Sequence, residues 1–262
     1  MSEISNKEFN ELLNSLATSE TFSLELTDGQ SYTFRQLTTN QLKELIKTVV
    51  DSPLTQSAFN TTISKVMKES IVEEGISVST FNTVDRLLFC LSTRIESLSP
   101  SLTITQENES IEVNLLDVRN NISKAVKENS HLFTSQSVIS SNGTVELTYG
   151  IPTIGIENQL NDEFYKNTDI SVETPNELRK VLGEAFINEI AKTIQTITIN
   201  TQTLDLNAGS FKSRLKTVES LPASLIQKVI EFAEQYKKVT DEPLTVKEKY
   251  TVPIDGSLFS LR

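Results

Sequence analysis

Side chains able to do covalent or metal chemistry are sparse in this sequence. One cysteine, Cys90, and one histidine, His131, occur in 262 residues. A single thiol excludes an intramolecular disulfide, and one thiol with one imidazole cannot build a Cys/His zinc site within one chain. Cys90 stands in Leu87-Leu88-Phe89-Cys90-Leu91, the setting of a small buried hydrophobe rather than of a nucleophile. His131 follows Asn129-Ser130 at a loop edge with no Ser or Cys motif beside it. The acid pairs Glu73-Glu74, Asp162-Glu163 and Asp241-Glu242 are sequence neighbours. General acid–base partners must instead converge in a cleft with separated pKa values. No run has the alternating acids, central Gly and distal Glu of a calcium loop. The eight glycines nowhere cluster as a phosphate-binding loop requires; the closest pair, Gly150 and Gly155, is followed by Ile-Glu-Asn. The expectation is a chain that is not an enzyme and takes no cofactor or metal.

Charge narrows the partners. The net charge is −11, and binding a phosphate backbone needs Lys and Arg to displace counterions, so nucleic acid is not expected. The basic groups Lys237-Lys238 and Lys247/Lys249 are flanked by Glu234, Asp241, Glu242 and Glu248, as on a solvated surface. Ser and Thr number 60, against 37 % hydrophobic residues, a composition suited to strands, caps and polar surface. No apolar run approaches the ~18–20 residues of a membrane span, and the polar start Met1–Asn10 does not look like a signal peptide. Synthesis in the cytoplasm is the expectation.

The elements follow from period and punctuation. A first helix is predicted over 4–20. Phe22, Leu24 and Leu26 alternate, Asp28-Gly29 turns the chain, and Tyr32 and Phe34 alternate back, a hairpin whose turn residues both call for positive φ. Thr38 and Gln41 form a capping box before Leu42, Leu45, Ile46 and Val49. Helices are predicted near 54–73 and from a cap at Ser79 or Thr80 to Leu98, the latter with Phe81, Val84, Leu87, Leu88, Leu91 and Ile95 in 3.6-residue period. Asp85, Arg86 and Arg94 ride on that helix; Asp85 and Arg86 are expected in surface or inter-element pairs, and Arg94 is placed to hold a carboxylate from a neighbouring strand.

Hairpins are predicted at 102–115 and 137–148, followed by helices near 116–127 and 156–166. Thr174-Pro175-Asn176-Glu177 combines an N-cap, Pro at the first helical position and a capping-box carboxylate. Leu178, Val181, Leu182, Ala185, Phe186 and Ile190 are expected as its buried stripe. Residues 197–206 read as strand or extended connector, and Pro222 opens a helix with Leu225, Val229, Phe232, Ala233 and Tyr236. The fold class is α+β, several helices with short antiparallel hairpins. Two subdomains are expected: a hairpin-plus-helix domain over 1–168, and a helical C-terminal region over 169–262, with the seam at Asn167–Thr174. The last segment contains Pro253, which confines it to an edge strand or an extended arm. Its Tyr250, Val252, Ile254, Leu258 and Phe259 are the candidate partner-binding residues, suited to adding a strand to a neighbour. Removing 248–262 is then expected to spare folding and abolish assembly.

Three segments carry a resemblance. Tyr32–Leu45 is a strand ending in the step Arg35-Gln36-Leu37-Thr38 into a helix; Phe81–Ile95 is the apolar helix with its Asp and Arg; Val252–Phe259 closes the chain. This ordering is similar to the baseplate-hub family of T4-type contractile-tailed phages, from about residue 20 onward. The resemblance implies a non-enzymatic structural component of a viral tail baseplate, made in the host cytoplasm and carried in the virion of a myovirus. Its partners would be other baseplate or tail proteins, in multiple copies in a symmetric assembly. The Arg-x-Leu-Thr step also looks like phage tail-assembly chaperones, which implies the alternative of an assembly factor absent from the mature particle.

Overall fold

A computed structural model of the chain describes residues 20–49, 55–106, 109–168 and 174–260. The helix expected over 4–20 lies outside them. The fold is α+β: among the described residues, eight α-helices accompany small antiparallel sheets of two to four strands. The chain forms two compact units interleaved in sequence. One draws on the chain up to Val78, on Val84–Lys124 and on residues from Pro243 onward; the other draws on Ser79–Thr83 and Ala125–Glu242.

In the first unit, β1 (Thr21–Glu25) pairs with β2 (Ser31–Arg35), Phe22 lying opposite Phe34. Their turn uses one left-handed residue where two were expected: Gly29 has φ +78°, while Asp28 keeps negative φ. Gly29 N–H donates to Leu26 C=O and Leu26 N–H to Gln30 C=O, so a three-residue loop replaces the two-residue turn. The capping box forms as read, Thr38 and Gln41 exchanging bonds at the start of α1 (Thr39–Lys47). Helix α2 (Thr55–Ser70) buries Phe59, Ile63, Val66 and Met67. Helix α3 (Thr83–Ser97) starts three residues later than its expected cap, because Val78–Thr80 form a 3₁₀ turn. It is buried on most of its circumference, and Phe89 stacks on Phe22 with ring centroids 6.5 Å apart and meets Phe34 at a tilt, 5.0 Å away.

Strands β3 (Ser101–Gln106) and β4 (Glu109–Asn114) form the second hairpin and lead directly into α4 (Leu115–Glu128).

The second unit is built on a four-stranded sheet in order β5 (Gln136–Ile139), β6 (Val145–Tyr149), β7 (Ile194–Ile199), β8 (Gln202–Asp205). The ambiguous Thr/Ile-rich stretch is thus two strands that complete a sheet begun at Gln136. Leu147 and Ile197 are register partners on its buried face. Helix α5 (Ile154–Asn167) is capped by Thr153. Helix α6 (Pro175–Thr193) starts with the expected Thr174/Glu177 box and runs into β7 without a loop. A helix not anticipated from the sequence, α7 (Phe211–Glu219), is capped by Ser210. Helix α8 (Ala223–Leu244) packs Phe232 edge-on against Tyr149 of β6, ring centroids 5.3 Å apart. The chain then returns to the first unit through the short hairpin β9 (Thr245–Val246) and β10 (Tyr250–Thr251) and a final 3₁₀ turn, Gly256–Phe259.

Candidate interaction surface

The five residues proposed from sequence to meet a partner do not form an arm. Tyr250, Val252, Leu258 and Phe259 are buried, and Ile254 is half-buried. Phe259 packs on Phe59 of α2 with ring centroids 6.3 Å apart. Tyr250 Oη donates to Glu109 Oε2 at 2.6 Å, and the same oxygen accepts from Lys249 Nζ at 3.0 Å; these two bonds lower the Glu109 pKa below the usual carboxylate range. Val252 N–H donates to Leu244 C=O, and Ile254 C=O accepts from Gln56 Nε2. The reason the segment closes is steric as well as apolar. At Gly256 a Cβ would lie 2.5 Å from Leu45 C=O and 2.6 Å from Thr48 Oγ1, so only glycine lets this turn lie on the end of α1.

Arg94 explains the rest of the anchoring. Its guanidinium holds no carboxylate among the described residues, contrary to the expectation from sequence; it donates to backbone carbonyls instead. Nε donates to Leu258 C=O at 2.7 Å, Nη1 to Ser99 C=O at 2.5 Å and Nη2 to Ser101 C=O at 3.3 Å. Burial pulls its pKa below the ordinary arginine value. Asp85 and Arg86 are buried rather than on the surface, and Asp85 Oδ1 accepts from Thr27 N–H. The second unit repeats the device with Arg214, which sequence reasoning missed. Its Nε and Nη2 donate to Ala191 C=O, Nη2 also to Ile194 C=O, and Nη1 to Asn207 Oδ1 at 3.1 Å. These satisfy carbonyls that the end of α6 leaves without a helical donor. Burial takes the Arg214 pKa down to about 10, against an attraction to Asp205.

The residues first considered for chemistry are not brought together. Cys90 is buried, and burial pushes its thiol up to about 12. His131 is exposed in a 3₁₀ turn. Glu73 uses one carboxylate oxygen to accept Thr33 N–H at 2.8 Å, an internal structural bond. Among the described residues there is no group of three His, Cys, Asp or Glu side chains placed to hold a metal ion, and no helix is long and apolar enough to cross a membrane.

What the structure does present is an uncovered apolar helix face. Leu178, Leu182 and Phe186 of α6, expected inside, retain 48, 59 and 52 % of their accessible surface. Spaced four apart, they drift only about 40° per step around the helix and form one stripe. Only the C-terminal part of α6, from Asn188 on, is mostly buried, with Glu189 alone exposed in it. Alongside it runs an apolar groove of about 260 Å³ between α6 and α8, lined by Phe186, Ile190, Val229 and Ala233 with the charged Glu189, Glu234 and Lys237. The signal in the sequence was the stripe itself; its exposure was not encoded there. A scan against protein-family profiles, a search of curated proteins and a search of solved structures each return no match to this chain.

Proposed function

We propose that this chain is a non-enzymatic structural component of a contractile phage tail baseplate, in its hub, acting through contacts with other baseplate or tail proteins. Two lines support the reading. The ordering of Tyr32–Leu45, Phe81–Ile95 and Val252–Phe259 resembles the T4-type baseplate-hub family. The second line carries the reading: an apolar stripe, Leu178–Leu182–Phe186, left exposed on a helix whose N-terminus is closed by a complete capping box. Such a stripe on a folded chain marks a place where another protein surface is meant to sit. The buried guanidiniums fit the same picture, because their hydrogen bonds hold backbone carbonyls in place.

The step Arg35-Gln36-Leu37-Thr38 favours a second reading, a tail-assembly chaperone that departs before maturation. Mass spectrometry of purified particles separates the two. A structural component is found in the mature tail at a fixed stoichiometry; a chaperone is needed for particle yield yet absent from the particle. Leu182→Ser with Phe186→Ser is expected to lower particle yield while the protein stays folded. Wild-type yield from that variant would overturn the assembly reading.

A further inference from the structure

We propose that the α6 stripe and its neighbouring groove pair two copies of this chain, α6 against α6, antiparallel about a two-fold axis at Leu182. The inference rests on the assembly reading and names the partner of that same surface. In such a pair the residue n positions before Leu182 faces the residue n positions after it in the other copy. Leu178 then meets Phe186 of the second copy, and Leu182 meets itself, so the whole stripe is covered by itself.

The groove fits the same operation. It is lined by α6 residues from Phe186 to Thr193, on the C-terminal side of Leu182. The projecting Leu178 lies on the N-terminal side, with the first turns of α6 exposed around it. A two-fold axis between them carries each copy's Leu178 to the mouth of the other's groove, the reciprocal contact that an isologous interface demands.

Charge selects the antiparallel sense. Arg179 flanks the N-terminal half of the stripe, whereas Glu189 and Glu234 mark the groove half, with Lys237 beside them. Glu189 also pairs with Lys192, whose own side chain is buried. Glu177 is occupied by the capping box. Antiparallel pairing sets Arg179 of one copy opposite Ala185 of the other, about 6 Å along the axis from Glu189 and within reach of the long arginine side chain, and opposes the two helix dipoles. A parallel pair would set Arg179 against Arg179 and leave both grooves empty. Because the axis closes on itself, assembly through this face stops at two copies.

Cysteine cross-linking of the full chain reads the geometry directly, since the native Cys90 is buried. Under mild oxidation Leu182→Cys is expected to form a disulfide-linked dimer, the two Cβ atoms meeting across the axis within disulfide reach. Leu178→Cys alone is expected to give no disulfide-linked dimer, while a mixture of Leu178→Cys and Phe186→Cys cross-links. Sedimentation of the wild type is expected to show dimer by a concentration of about 100 µM, and Leu182→Glu to remain monomeric with unchanged far-ultraviolet dichroism. A wild type that stays monomeric, with no Leu182→Cys cross-link, overturns the pairing, as does efficient cross-linking of Leu178→Cys by itself. If the pairing fails while stripe variants still lose particle yield, the assembly reading stands alone. If dimers form while those variants give full yield, the pairing stands without it.

Discussion

The closing segment, Tyr250–Phe259, and the α6 stripe, Leu178–Phe186, exchange the roles their sequences suggest. The first mixes polar and apolar residues around a proline, reads as an open arm, and is buried. The second has helical period, reads as core, and is open. The difference lies in what each meets. Gly256 allows the closing turn to come within contact of the α1 backbone, Phe59 offers a ring, and Arg94 takes its carbonyl. Around Leu178 and Leu182 the described residues supply no such surface. A periodic apolar face says that a helix has a side to hide; it does not say that the same chain hides it.

That contrast can be broken from either side. The largest effect is expected from deleting residues 248–262. Instead of a folded but assembly-deficient protein, the truncation should lose the cooperative unfolding of the first unit, because Phe59 loses the Phe259 ring and Arg94 the Leu258 carbonyl; thermal melts by circular dichroism would show it. Next, Arg94→Met and Arg214→Met should each cost about 2–4 kcal/mol in chemical denaturation, since each strands several buried carbonyls. Gly256→Ala should cost about 2 kcal/mol, the amount by which the end of α1 must give way to the new methyl group.

A smaller effect, of opposite sign, is expected at the β9–β10 turn. Lys247 and Glu248 there both have left-handed φ, +52° and +58°, which side chains with a Cβ adopt at a cost. Replacing them with Asn and Gly, the pair this turn favours, should stabilise by about 1 kcal/mol, read as a raised midpoint in urea. Smallest of all is Leu182→Ser, which should move stability by no more than about 0.5 kcal/mol. A loss comparable to that of Gly256→Ala would mean the stripe is core after all.

Much of the fold was legible locally. The capping boxes at Thr38 and Thr174, the hairpin around Gly29 and the period of α3 depend on residues within one or two turns of each other. The strands β7 and β8 were ambiguous because Thr/Ile alternation acquires meaning only when β6 lies alongside. Helix α7 was missed because Phe211, Arg214 and Val218 make too short a stripe to stand out, and Arg214 is inside only because the carbonyls ending α6 receive it. Of the candidate surface, the apolar spacing was visible and the exposure was not.

By itself the sequence determined the α+β class, the caps and most turns, since these follow from the conformational limits of Gly and Pro, side-chain hydrogen bonds to nearby backbone, and apolar period. Tertiary structure alone decided which apolar faces are covered and which buried cations find carbonyls. Those outcomes depend on surfaces brought together from distant parts of the chain, such as Arg94 with Leu258, 164 residues apart.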